Sequence, residues 1–128
     1  GDYATMSKRV LIADKNRLLL KAYTQLIHSW GFEIVGATSD ESNLMDLAKK
    51  TKPDLLLYDL NLSDNGVTEF SLPRRIREEL PEMKILITSF HDADEATSDA
   101  FIEAGFHGFC NKFVHQSDLR NTLDSLLA

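Results

Sequence analysis

The 128-residue sequence holds a single cysteine, Cys110. One thiol excludes an internal disulfide and fits a reducing cytoplasm. Positive charge is also scarce: 14 Lys and Arg stand against 20 Asp and Glu, a formal net of −6. That excludes the basic footprint of a chain that grips nucleic acid directly. No apolar run approaches the length of a membrane span, and no secretory signal is visible. Gly-rich nucleotide motifs, repeats, linkers and low-complexity segments are all missing. The four histidines, His28, His91, His107 and His115, lack metal-ligand spacing. They read as surface or loop residues, with His91 alone close to a candidate site.

What is present is ordinary in bulk and informative in order. Hydrophobic residues make up 43% and charged residues 27%, enough for one domain with one continuous core. Leu55-Leu56-Leu57-Tyr58 is an apolar run without alternation that ends in Asp59. Such a run reads as a strand buried on both faces, as in a parallel sheet covered by helices. Val10-Leu11-Ile12-Ala13 repeats the pattern and ends in Asp14. Phe32 to Ala37, Lys84 to Ile87 and Gly108 to Asn111 read as three further strands, the last two ending at Thr88-Ser89 and Lys112.

Helical signals fill the gaps. Leu19, Tyr23, Leu26, Ile27 and Trp30 share one helix face, stopped by Gly31. Asp40 is the expected cap of a second helix with apolar positions Leu44, Leu47 and Ala48, ending in Lys49, Lys50 and Lys52 ahead of Pro53. A polar turn, Ser63-Asp64-Asn65-Gly66, follows Asp59. Ser71 is the expected cap of a third helix running to about Leu80. Asp92 and Glu95 read as a capping box for a fourth, stopped by Gly105, and Leu119, Leu123, Leu126 and Leu127 line a fifth. Asp92, Asp94, Glu95 and Asp99 otherwise form a solvated acidic face. Five β-α units imply an α/β fold: a doubly wound parallel sheet with helices on both faces.

The strand ends therefore carry two acids, a hydroxyl and an ammonium: Asp14, Asp59, Thr88 and Lys112. A carboxylate can attack phosphorus and form an acyl phosphate. Transfer then needs the phosphoryl oxygens neutralised and held, tasks suited to Lys112 and Thr88. Asp14, Asp59 and the backbone carbonyl of Asn61 suit Mg²⁺, a hard ion that takes oxygen ligands.

Four stretches carry a family resemblance: Val10 to Asp14, Pro53 to Asn61, Ile85 to Ser89 and Gly105 to Lys112. Over essentially all of Ser7 to Ala128 the chain resembles the receiver domain of bacterial response regulators. The resemblance implies a flavodoxin-like (βα)5 fold with strand order 2-1-3-4-5. It implies Asp59 as phosphoacceptor, Thr88 and Lys112 as phosphoryl contacts, and Phe109 as a switch aromatic. It also implies a histidine kinase as partner and a cytoplasmic signalling role, with self-phosphorylation and self-dephosphorylation as the only activities. Residues 1–6 read as an expression remnant and start, and residues 7–128 as the receiver.

Three departures from the family pattern stand out. Lys15 occupies the place of a second acid after strand one, which predicts a weak Mg²⁺ site. The turn after Asp59 is shorter than usual, with Ser63 where proline is common. Phe113 follows Lys112 where many members have proline, a variant similar to receivers with a C-terminal helix-turn-helix output domain, so the chain reads as a fragment of such a transcription regulator. Lys15 also motivates an alternative, a phosphate-independent receiver used as an interaction or homodimerisation module. An aspartate-nucleophile phosphatase is a third reading, weakened because Asn61 cannot serve as its acid/base.

Overall fold

The computed structural model describes residues 7–63 and 70–128. The remnant expected at residues 1–6 and the turn residues Asp64, Asn65 and Gly66 lie outside the described residues. In chain order the elements are β1 (Arg9–Ala13), α1 (Arg17–Ser29), β2 (Glu33–Thr38), α2 (Leu44–Thr51), β3 (Leu55–Asp59), α3 (Ser71–Glu79), β4 (Lys84–Ser89), α4 (Glu95–Glu103), β5 (Gly108–Asn111) and α5 (Gln116–Leu126). The strands form one parallel sheet in the order β2-β1-β3-β4-β5. This is the order that the family resemblance implied.

Side chains alternate along the central strands and divide the core in two. Leu11, Leu56, Tyr58, Ile85 and Ile87 face one side, where Leu44 and Ala48 of α2, Ile76 of α3 and Phe101 of α4 cover them. Val10, Ile12, Leu55, Leu57 and Leu86 face the other, under Ile27 of α1 and Leu119 and Leu123 of α5. Every residue of β3 is buried, which explains its unbroken apolar run. Each fully buried Leu or Ile contributes about 1.5–3 kcal/mol relative to exposure.

The caps differ in places from the sequence expectation. Asp40 caps a 3-10 turn, Glu41–Asn43, that leads into α2. The fourth helix is capped by Asp94, whose carboxylate accepts from the Thr97 N–H at 2.7 Å, and the Asp92–Glu95 box does not form. Asp92 instead accepts from Asn111 Nδ2 at 2.9 Å, so it belongs to a loop contact rather than to a purely solvated face. Ser71 is the first residue of α3; the cap position is Phe70, left-handed at φ 45°. Burial overrides the backbone preference there, because the Phe70 ring packs edge-on against Phe101 and Phe106, at 5.2 and 5.6 Å between centroids. Gly31 and Gly105 do take the left-handed stop positions, at φ 95° and 84°.

Candidate functional site

Parallel strands bring all their carboxyl ends to one edge, and the order places β1 beside β3 at the switch point of the sheet. Ala13 pairs with Tyr58 and Asp59 with Thr88 in register. Asp14 and Asp59 are consequently neighbours, and both are buried, at 1% exposure each. Asp59 is nearly fully buried although it ends a strand at the sheet edge, because Lys112 lies over it.

Lys112 enters from the end of β5, where its backbone N–H donates to the Ser89 carbonyl at 2.7 Å. Its long side chain crosses the tip of β4. The ammonium Nζ reaches Asp14 Oδ2 and Asp59 Oδ1, each at 3.0 Å, and the side chain is only 1% exposed. Backbone donors complete the cradle. Asp59 Oδ2 accepts from the Lys15 N–H at 2.9 Å, and Asp59 Oδ1 from the Asn61 N–H at 2.9 Å. Asp14 Oδ1 accepts from the Asn16 N–H at 2.8 Å. Asn16 also starts α1, its side-chain oxygen accepting from the Leu18 and Leu19 N–H groups.

Burial pushes the Asp14 carboxyl above its ordinary range. The Asn16 N–H opposes that shift, the Asp59 charge adds to it, and the hydrogen bond and charge of Lys112 oppose it again. Among the described residues, Asp14 Oδ2 is the one buried side-chain oxygen that accepts no hydrogen bond; its contact is the ion pair with Lys112.

The remaining candidates take up distinct positions. Thr88 is buried and its hydroxyl donates to the Tyr58 carbonyl at 3.4 Å, along the sheet rather than toward Asp59. Phe109 is half-buried and stacks on Phe101 of α4, with centroids 5.4 Å apart. It also lines a cleft of about 220 Å³ beside the acids, together with Leu60, Asn61, Ser89, His91 and Asp92. His91 is thus near the site, as expected. His107 departs from the surface reading: it is half-buried and its Nδ1 accepts from the Ile85 N–H at 2.9 Å. His115 stays exposed and caps α5 through the Ser117 N–H. Cys110 is buried, and burial pushes its thiol up to about 11, as befits an inert side chain.

Sequence reasoning missed one aromatic of the site. The Phe90 ring lies under the Lys112 ammonium, 4.6 Å from Nζ to centroid. Phe90 stands two residues beyond Thr88, in a loop whose course no periodicity fixes.

The comparisons agree with this geometry. The family model for the response regulator receiver domain matches residues 10–124. The polar-differentiation response regulator DivK of Brucella ovis is 27% identical over 123 residues, covering 95% of this chain and 98% of DivK. The transcriptional regulatory protein DegU of Brevibacillus brevis is 28% identical over 106 residues, covering 81% of this chain but only 43% of DegU. Among solved structures, a LuxR-family two-component response regulator from Aurantimonas sp. superposes with a TM-score of 0.84 at 26% identity, over 94% of this chain and 85% of that one. A CheY-like receiver domain protein from Methanospirillum hungatei shares the fold, with a TM-score of 0.82 at 24% identity and 94% coverage of both chains. With two acids, a hydroxyl and an ammonium gathered at one sheet edge and the family model spanning nearly the whole domain, the chain belongs to the response regulator receiver domain family.

Proposed function

We propose that the chain accepts a phosphoryl group on Asp59 from a histidine kinase and changes a surface in response. The observation that supports this most is the ammonium of Lys112 seated 3.0 Å from both Asp14 and Asp59. In the transfer, a carboxylate oxygen of Asp59 attacks phosphorus and an O–P bond forms. The P–N bond to the donor histidine breaks, and the imidazole leaves with the electron pair and takes up a proton. Lys112 neutralises the phosphoryl oxygens. The Thr88 hydroxyl leaves the Tyr58 carbonyl to donate to one of them. That movement opens space for Phe109, which shifts its packing against α4.

Asp14, Asp59 and the Asn61 carbonyl are the proposed holders of Mg²⁺. The residues fit a hard cation, since two buried carboxylates adjoin and Asp14 Oδ2 accepts no hydrogen bond. The ion, when bound, supplies positive charge against the phosphoryl oxygens. Binding is weak in this reading. Two carboxylates, Asp14 and Asp59, stand against the Lys112 ammonium, which contacts both, and the positive side chain of Lys15, next to Asp14 in sequence. The same balance favours a second reading, a receiver that works without phosphate as an interaction or homodimerisation module. The phosphatase reading gains no support from the family match.

The chain spans about 43% of the length of DegU. The likeness to that transcriptional regulatory protein and to a LuxR-family regulator supports a receiver that works with a DNA-binding output domain, whereas DivK is matched over 98% of its own length. No helix among the described residues is long and apolar enough to cross a membrane; the proposed cytoplasmic setting rests on the family's signalling role. Intact mass after incubation with acetyl phosphate and Mg²⁺ tests the reading. Added phosphate in the parent and none in Asp59→Asn supports it; equal labelling of both, or none in either, counts against it.

A further inference from the structure

We propose that Phe90 is a positioning residue of the phosphoryl-transfer site: its ring face holds the Lys112 ammonium between Asp14 and Asp59, and Phe113 packs against the ring as a brace. The kinetic part of this rests on Asp59 as phosphoacceptor; the structural part does not.

Lys112 carries its charge on four methylenes, so its place over the acids has to be enforced. The two carboxylates contact the ammonium at 3.0 Å. The Phe90 ring covers it at 4.6 Å, close enough for the negative ring face to attract a cation. The result is an ammonium on a side chain 1% exposed, although His91, Asp92 and Phe113 in the same two loops are exposed. Phe90 follows Ser89, whose carbonyl holds the Lys112 N–H, so ring and ammonium are also linked through backbone.

Phe90 and Phe113 stand 5.5 Å apart between centroids, and Phe113 is 77% exposed. Neither ring belongs to the core on either face of the sheet. Filling the interior is therefore not what places them. Asn111 sets the brace: its Oδ1 accepts from the Phe113 N–H at 2.7 Å, while its Nδ2 donates to Asp92 at 2.9 Å. The loops after β4 and β5 are thereby tied, one carrying Phe90 and the other Lys112 and Phe113.

A cap on Lys112 has two opposed consequences. The ammonium occupies the space between two acids that a cation would use, so a looser Lys112 competes less with Mg²⁺. The same looseness leaves it out of place for the phosphoryl oxygens, so transfer slows. Damage to the site in general would weaken both.

The test uses the full chain as parent, Phe90→Leu, Phe90→Trp and Phe113→Ala. Three quantities are read: Mg²⁺ affinity from amide shifts, phosphorylation rate by acetyl phosphate at saturating Mg²⁺, and solvent exchange of the Lys112 ammonium protons by NMR. Losing a partly buried cation–π contact corresponds to about threefold to thirtyfold in such constants. In Phe90→Leu we expect tighter Mg²⁺ binding, slower phosphorylation and faster ammonium exchange. Phe90→Trp should keep the parent values. Phe113→Ala, at an exposed position that folding does not need, should shift all three in the direction of Phe90→Leu. Three outcomes would overturn the proposal: parent-like ammonium exchange in Phe90→Leu, affinity and rate falling together, or Phe90→Trp behaving as Phe90→Leu. If the parent takes no phosphate, the reading of Asp59 fails, while the Mg²⁺ and exchange measurements still decide the role of Phe90.

Discussion

Lys112 Nζ stands 3.0 Å from Asp59 Oδ1, although the two residues end strands that are not neighbours: β4 lies between β3 and β5. Two strand spacings amount to about 10 Å, a gap that only a long side chain meeting an acid can close. The pair is buried, and Asp14 shares the same ammonium. In the proposed transfer this one cation neutralises the phosphoryl oxygens.

Removing it should be costly. Lys112→Met leaves two buried carboxylates facing each other, and breaking a buried pair in this way costs about 3–5 kcal/mol. Urea unfolding at neutral pH measures the loss. Mg²⁺ should restore part of it, because a second cation can take the vacated space. A variant as stable as the parent would show that water already screens the acids.

Lys15→Asp replaces an exposed positive side chain, whose backbone N–H touches Asp59, with a carboxylate. Mg²⁺ affinity should rise about tenfold or more, equivalent to at least about 1.4 kcal/mol. Amide shifts are the right reporter. Trp30 fluorescence is not, since Trp30 caps the far end of the 13-residue α1, about 20 Å from the site. Unchanged affinity would remove Lys15 from the account of a weak metal site.

How much of this was legible beforehand depended on what each residue's position answers to. Leu55 to Tyr58 ends in Asp59 because a strand covered on both faces has no polar side, and that shows directly in sequence. Asp14, Thr88 and Lys112 could be gathered with Asp59 because all parallel strands finish at one edge. Their adjacency needed the strand order, which came through family resemblance. Loop details were out of reach. Asp94 rather than Asp92 caps α4, and Phe70 rather than Ser71 precedes α3, because tertiary contacts of Asp92 with Asn111 and of Phe70 with Phe101 decide between equally plausible caps. Phe90 was missed for the same reason.

His107 makes stability depend on pH. Its Nδ1 accepts a backbone N–H, so in the fold the ring is neutral with its proton on Nε2. Burial, then the charges of Lys84 and Arg77, hold its pKa below the ordinary 6.5. Between that lowered value and 6.5 the unfolded chain binds a proton that the folded chain refuses. The contribution is therefore fully present above pH 6.5 and is lost as pH falls through the folded pKa. Asn at this position keeps an acceptor without titrating. Thermal unfolding of His107→Asn should fall less than that of the parent across this acid window; parallel curves would contradict the assignment.

Gly105 stops α4 at φ 84°, and a Cβ built there would stand 2.7 Å from Arg77 Nε. That same Nε donates to the Gly105 carbonyl at 2.7 Å. Gly105→Ala should cost about 2–3 kcal/mol, from left-handed strain and the displaced hydrogen bond. Adding Arg77→Ala should relieve the clash, so that the double variant loses less than the sum of the two singles in urea unfolding. Strict additivity would mean the two residues do not meet.

The central claim is that the phosphoryl group goes to Asp59, and locating it by residue is the most direct test. Borohydride reduces an aspartyl phosphate to homoserine, which peptide mass spectrometry reads by position. After acetyl phosphate and Mg²⁺, the account predicts homoserine at position 59, with Asp14 and the other acids unchanged. Homoserine at another position with Asp59 intact, or none at any position, would contradict it.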